Sequence, residues 1–121
     1  MGKARILFGA FVLALMLACC SWYDHEIKIG DLQHEKIIVL RKEPQRGDVY
    51  SINIRVRGKI LGEAKMHLML NGKPYKTELL KGAVRFNWGG DWYSDTADIK
   101  FEPMKIEYGE LFIEYRFNTS D

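Results

Sequence analysis

Val49-Tyr50-Ser51-Ile52-Asn53-Ile54-Arg55-Val56-Arg57 carries apolar and polar side chains in alternation through its middle. A period of two places Tyr50, Ile52, Ile54 and Val56 on one side of an extended chain. Ser51, Asn53, Arg55 and Arg57 fall on the other, the pattern of a strand with one face in a core and one in water. From Tyr23 to Phe117 the same period dominates, and no window sustains the i, i+3, i+4 apolar spacing of a helix. The domain therefore reads as all-β.

Working outward, residues 63–70 form a second strand with Ala64, Met66, Leu68 and Leu70 inward. Asn71-Gly72 then supplies the positive-φ residues of a tight hairpin, and 74–80 returns with Tyr75, Thr77 and Leu79 as its alternate positions. Further strands are expected at 25–29, 35–41, 83–88 (Val84, Phe86, Trp88 inward), 96–102 (Ala97, Ile99, Phe101) and 110–117 (Leu111, Ile113, Tyr115, Phe117). About eight short strands punctuated by Gly30, Gly47, Gly58, Gly72, Gly82, Gly89-Gly90 and Gly109 point to an antiparallel β-sandwich, immunoglobulin-like or similar. A small β-barrel is the second architecture compatible with that pattern. No internal repeat, low-complexity tract or interdomain linker interrupts it.

Ahead of the β region, Lys3 and Arg5 precede thirteen residues from Ile6 to Ala18 that are apolar or glycine and run into Cys19-Cys20. Such a run rises about 20 Å as a helix, short of the roughly 30 Å hydrocarbon core, which suits an export signal better than a membrane span. Met16-Leu17-Ala18-Cys19 resembles the lipobox of bacterial lipoproteins. That resemblance implies removal of residues 1–18, a diacylglyceryl group on the Cys19 thiol, an acylated mature N-terminus, and a single lipid-anchored domain over 19–121. A register one residue later, Leu17-Ala18-Cys19-Cys20, would shift the acyl group to Cys20, while small Ala18 beside the scissile bond favours Cys19. No Asp follows Cys19, so the family pattern implies the outer membrane; that pattern leaves the face open, and a periplasm-facing domain is the expectation. Ser21-Trp22-Tyr23-Asp24 contains no flexible Ser, Gly or Pro run, which keeps the domain close to the bilayer.

The leader holds two of the 18 Lys and Arg residues, leaving 16 bases against 16 acids and a net charge of zero for the mature chain. A neutral exported domain is not a nucleic-acid binder. With Cys19 acylated, Cys20 has no intramolecular partner, so a core or an oligomer must supply the stability a disulfide would otherwise add. A homodimer is among the expected states, because edge strands can pair between copies.

Motifs for catalysis are missing: Ser21, Ser51, Ser94 and Ser120 stand outside any nucleophile elbow, and no P-loop or dinucleotide fingerprint occurs. His25, His34 and His67 are too far apart for a metal motif and read as solvated histidines. Asp91, Asp95 and Asp98 lack the spacing of a calcium loop and read as turn residues. No enzyme activity, metal or cofactor is expected.

Charge placement and one loop remain. Six bases against two acids between Arg41 and Lys59 give a local +4, and eight acids against three bases from Asp91 to Asp121 give −5. Arg55 and Arg57, both outward on one strand, are candidates to meet an anionic partner or lipid headgroups, unless neighbouring strands cancel them. Gly89-Gly90-Asp91-Trp92-Tyr93-Ser94-Asp95 permits an unusual backbone path and offers two aromatic residues of the kind that anchor interfaces. Trp88 is expected to pack, and Trp92 or Tyr93 to make contact. Arg55, Arg57, Trp92 and Tyr93 are thus the candidate partner-binding residues of an interaction module, an accessory subunit of an envelope assembly. An inhibitor or immunity-type lipoprotein, blocking a toxin, a phage factor or a wall-degrading enzyme, fits the same features.

Overall fold

A computed structural model describes residues 23–120 of the chain, so Cys19, Cys20 and the signal segment lie outside the described residues. Five strands form in the order β1 (His25–Lys28), β2 (Lys36–Arg41), β3 (Val49–Leu70), β4 (Lys73–Asp91) and β5 (Thr96–Thr119). All pairings are antiparallel, in one sheet ordered β1-β5-β3-β4, with β2 also on β5. β2 pairs with the first residues of β5, from Thr96 to Phe101, and β1 with Phe112 to Tyr115, so the two short strands share one edge. The hairpin at Asn71-Gly72 forms as expected, with φ of 53° and 76°.

Five strands replace the eight expected, and one sheet replaces two. The expected pairs 49–57 with 63–70, 74–80 with 83–88, and 96–102 with 110–117 each fuse into one long strand, of 22, 19 and 24 residues. Gly58, Gly82, Gly89-Gly90 and Gly109, which read as turns, instead lie within continuous strands, while Gly72 keeps its turn. Gly58 faces Val84 and Leu111, Gly82 and Gly109 both face Ile60, and Gly62 faces Ile106, so a band of glycines crosses the sheet. Register shifts fall in the same band, between Ile60 and Glu63 against β4 and between Leu61 and Ala64 against β5. Bulges and glycines are what a twisted sheet uses to turn a corner.

The corner folds the sheet back over itself. Lys76 Nζ donates to the Gly89 carbonyl at 3.1 Å, although both belong to β4 and lie 13 residues apart, about 43 Å along a straight strand. At the other edge the Tyr115 hydroxyl is hydrogen-bonded to the backbone of Arg41, which itself pairs with Thr96 at the far end of β5. Between the two arms lies one continuous core. Ile52, Ile54, Val56, Leu111, Ile113 and Phe117 contribute from one arm, and Ala64, Met66, Leu68, Ile99, Phe101 and Leu40 from the other. Ile29, Leu32 and Trp92 close it from the connections.

Inward parity holds along most of this core and fails where a bulge intervenes. Tyr50 is 53% exposed rather than inward, because a shift between Val49 and Ser51 turns Val49 into the core instead. Leu70 is exposed beyond a shift between Leu68 and Met69. In 74–80 the parity is reversed: Tyr75 and Leu79 face solvent, while Leu80 is buried.

Candidate functional site

Arg55 and Arg57 project from β3 onto the outer face, where register sets Arg55 opposite Glu114 and Arg57 opposite Phe112. Glu114 is buried to 9% exposure and accepts from Arg55 Nη2 at 2.8 Å and from Arg57 Nε at 2.7 Å. Arg57 also donates to Glu26, which faces Glu114 from β1. The two arginines thereby reconcile two carboxylates that adjacent strands place side by side. Each guanidinium lies over an aromatic ring, Arg55 over Tyr23 at 4.8 Å and Arg57 over Phe112 at 4.7 Å. Burial pushes the Glu114 carboxyl up, but hydrogen bonds and charge from both arginines hold it below its ordinary value overall. Hydrogen bonding to Glu114 in turn raises both arginines.

Neighbouring strands therefore cancel the charge segregation seen along the chain. Lys42 pairs with Asp95 at 3.5 Å, Lys28 with Glu110 at 3.2 Å, and Lys100 with Glu35 at 2.9 Å. A polar cleft of about 370 Å³ lies at the arginine cluster, lined by Tyr23, Asp24, His25, Glu26, Arg55, Arg57 and Glu114. Its two cations are both engaged by carboxylates.

Trp92 and Tyr93 occupy the opposite edge, on the connection between β4 and β5. Trp92 is 7% exposed. Its backbone N–H donates to the Tyr50 carbonyl at 3.2 Å, and its indole Nε1 donates to the Thr96 carbonyl at 3.0 Å. Ser94 Oγ accepts from the Thr96 amide at 3.2 Å. The loop is thus held by its own hydrogen bonds, and Tyr93 stands out from it, 76% exposed. Leu70 and Tyr75, from the β3–β4 hairpin, meet this loop because the sheet has folded over. Together with Asp91, Trp92, Tyr93 and Ser94 they line a largely apolar cleft of about 480 Å³.

The arginines and the aromatic pair therefore belong to two clefts with no lining residue in common. Leu70 and Tyr75 escape a reading of the sequence, since the first was expected inward and the second sits in a stretch whose parity is ambiguous. The exposed tyrosine beside a Lys and a Thr was the available signal.

His67, read as solvated, is instead 8% exposed on the outer face. It bridges Thr77 Oγ1 at 2.8 Å and Glu102 Oε2 at 2.9 Å across three strands. An ionised carboxylate only accepts, so Nε2 is the donor to Glu102, and hydrogen bonding to His67 lowers the Glu102 carboxyl. Among the described residues no three His, Cys, Asp or Glu side chains gather in a metal-binding arrangement. Compared with known proteins, the chain matches no family model and shows no significant similarity to a curated protein.

Proposed function

We propose that this chain is a bacterial envelope lipoprotein, acylated at Cys19, whose domain binds a partner protein through the cleft formed by Leu70, Tyr75 and Tyr93. The two folded-over arms serve as the layers of a β-sandwich made from a single sheet, and that scaffold holds the cleft rigid. One observation carries the reading: Tyr93 is 76% exposed on a loop whose neighbours are fixed by hydrogen bonds. A tyrosine presented this way adds large contact area while little conformational freedom is lost on binding. Its neighbours Leu70 and Tyr75, both exposed, widen the patch.

Tyr23 follows Cys19 by only four positions, a span of at most about 14 Å. An acyl anchor there holds the β1 edge near the bilayer. The cleft belongs to the β4 edge, three strand spacings or about 14 Å across the sheet, where a second envelope protein has access. Two acyl chains retain the protein where one would not, at about 0.8 kcal/mol per buried methylene.

Photo-crosslinking in native membranes tests the reading, using the full chain, a Tyr93→Ala variant and a Cys19→Ala variant, with intact mass as the control for acylation. A discrete crosslinked envelope protein that is lost with Tyr93→Ala, and a diacylglyceryl mass on a chain beginning at Cys19, are expected. Retention of the same crosslink by Tyr93→Ala would overturn the binding assignment. A soluble, unmodified chain would overturn the anchor.

A further inference from the structure

The cleft beside Tyr93 carries one feature that its apolar lining does not call for. The Asp91 carboxylate borders it at the end of β4, exposed, with no ion-pair or hydrogen-bond partner among the described residues. Many carboxylates on this surface are matched, Glu114 and Glu26 with arginines and Asp95, Glu35, Glu63 and Glu110 with lysines, while those of Glu78, Asp98 and Glu107 have no such partner among the described residues. Asp91 differs from these three in bordering a cleft lined by aromatic rings. Two exposed tyrosine rings flank the same space, and the buried Trp92 indole forms part of its lining. Lys76, which shares an adjoining crevice with Asp91, sits over the Tyr75 ring at 5.7 Å and donates to the Gly89 carbonyl, so it makes no ion pair with Asp91.

An open carboxylate beside aromatic rings selects charge as well as apolar area. Ring faces attract a cation through their quadrupole, and a desolvated cation gains more from them than a hydrated one. A carboxylate bordering the same apolar space provides a counter-charge and a directional acceptor, which an arginine uses in two parallel hydrogen bonds. We infer that the cleft takes a basic side chain, an arginine first and a lysine second, from the partner protein. Its alkyl stem lies against Leu70 and Tyr75, and its head group meets Asp91 and the Tyr93 ring. The inference rests on the proposed binding role of this cleft and supplies the chemistry of the partner's contacting residue.

Nuclear magnetic resonance on the full acylated chain in non-ionic detergent micelles tests it with three probes: the N-acetyl methylamides of arginine, norleucine and glutamate. The arginine probe is expected to shift the amides of Asp91, Tyr93, Ser94 and Leu70 with millimolar affinity. Asp91→Asn should weaken it about fivefold, the effect of losing one partly exposed ion pair. Norleucine should bind more weakly than arginine, and glutamate should leave those amides unmoved. Equal shifts from norleucine and arginine, or no effect of Asp91→Asn, would overturn the inference. So would movement of the same amides with protein concentration alone, which would make a second copy the occupant. The binding role itself is judged separately by crosslinking: loss of the crosslink with Tyr93→Ala, while the arginine probe fails to bind, removes the cation and keeps the role.

Discussion

Glu114 concentrates more of the outer face's ionic structure on one carboxylate than any other described residue, and its setting dictates how the fold responds to acid. Desolvation acts against its charged form, and two guanidiniums act for it and prevail, so its pKa is lowered in the folded state. A carboxyl depressed on folding adds stability above its unfolded value and loses it as pH falls through the folded one. Glu102, held down by its hydrogen bond to His67, adds in the same direction. Urea midpoints should therefore fall as pH drops from about 5 towards 3, in the ordinary range for unfolded carboxylates. Glu114→Gln should flatten that decline and cost on the order of 2 kcal/mol at pH 7. That is below the 3–5 kcal/mol typical of breaking a fully buried pair, because both arginines keep some contact with water. A pH profile identical to that of the native chain would show that the carboxylate titrates unperturbed.

The same scale separates two adjacent aromatics that look alike in the sequence. Trp92 uses its indole N–H within the fold, so Trp92→Phe should leave the Thr96 carbonyl without that donor and cost about 1–2 kcal/mol. Tyr93→Ala removes a ring that is mostly in water and should change stability by less than about 0.5 kcal/mol. Chemical denaturation of both variants checks the contrast, and a Tyr93→Ala loss as large as that of Trp92→Phe would make Tyr93 a packing residue.

At the scale of elements, the strands depend on what the band of glycines lets neighbouring backbones do. A Cβ at Gly58 would stand 2.0 Å from the Glu110 carbonyl oxygen, and one at Gly62 would stand 1.9 Å from that of Lys105. Both obstacles are backbone, which cannot step aside as a side chain tip can. Gly58→Ala and Gly62→Ala should each cost at least about 3 kcal/mol, the upper end of overpacking penalties, or prevent folding. Gly30→Ala meets nothing within 4 Å and should stay within about 0.5 kcal/mol of the native chain. Thermal melts of the three variants read the difference directly.

These glycines also mark where a reading of the sequence stops. Alternation located all eight stretches that became strand, because burial of one face leaves its period in the residues whatever the topology. It could not tell a turn from a bend, since both use glycine to reach backbone geometries closed to other residues. Pairing between distant stretches sets the difference: β3 stays hydrogen-bonded to β4 and β5 on both sides of its corner. The site was legible in part for the same reason. Tyr93 and Arg57 are visible as exposed residues within local patterns. Leu70 and Tyr75 reach the cleft of Tyr93 only after the sheet has folded over.

For the whole molecule, one sheet bent over one core has a consequence that two separate sheets would not share as strictly. The chain of each long strand crosses from one arm to the other, and the buried residues of both arms form a single cluster. Neither arm has an apolar face it can cover alone. The two should therefore unfold together, as expected for a single domain of this size. Phe101 is fully buried in the arm that carries β2, whereas Trp88 is buried from the other arm and Trp92 from the connection between β4 and β5. Phe101→Ala should cost about 3–5 kcal/mol through lost burial and the cavity left behind. Fluorescence of Trp88, read in a chain whose Trp22 and Trp92 are replaced by phenylalanine, should report that loss in full, with a midpoint coincident with far-ultraviolet circular dichroism. If fluorescence kept its native midpoint while the dichroism shifted, the arms would be separable units, and the corner would be a hinge between them rather than a fold within one core.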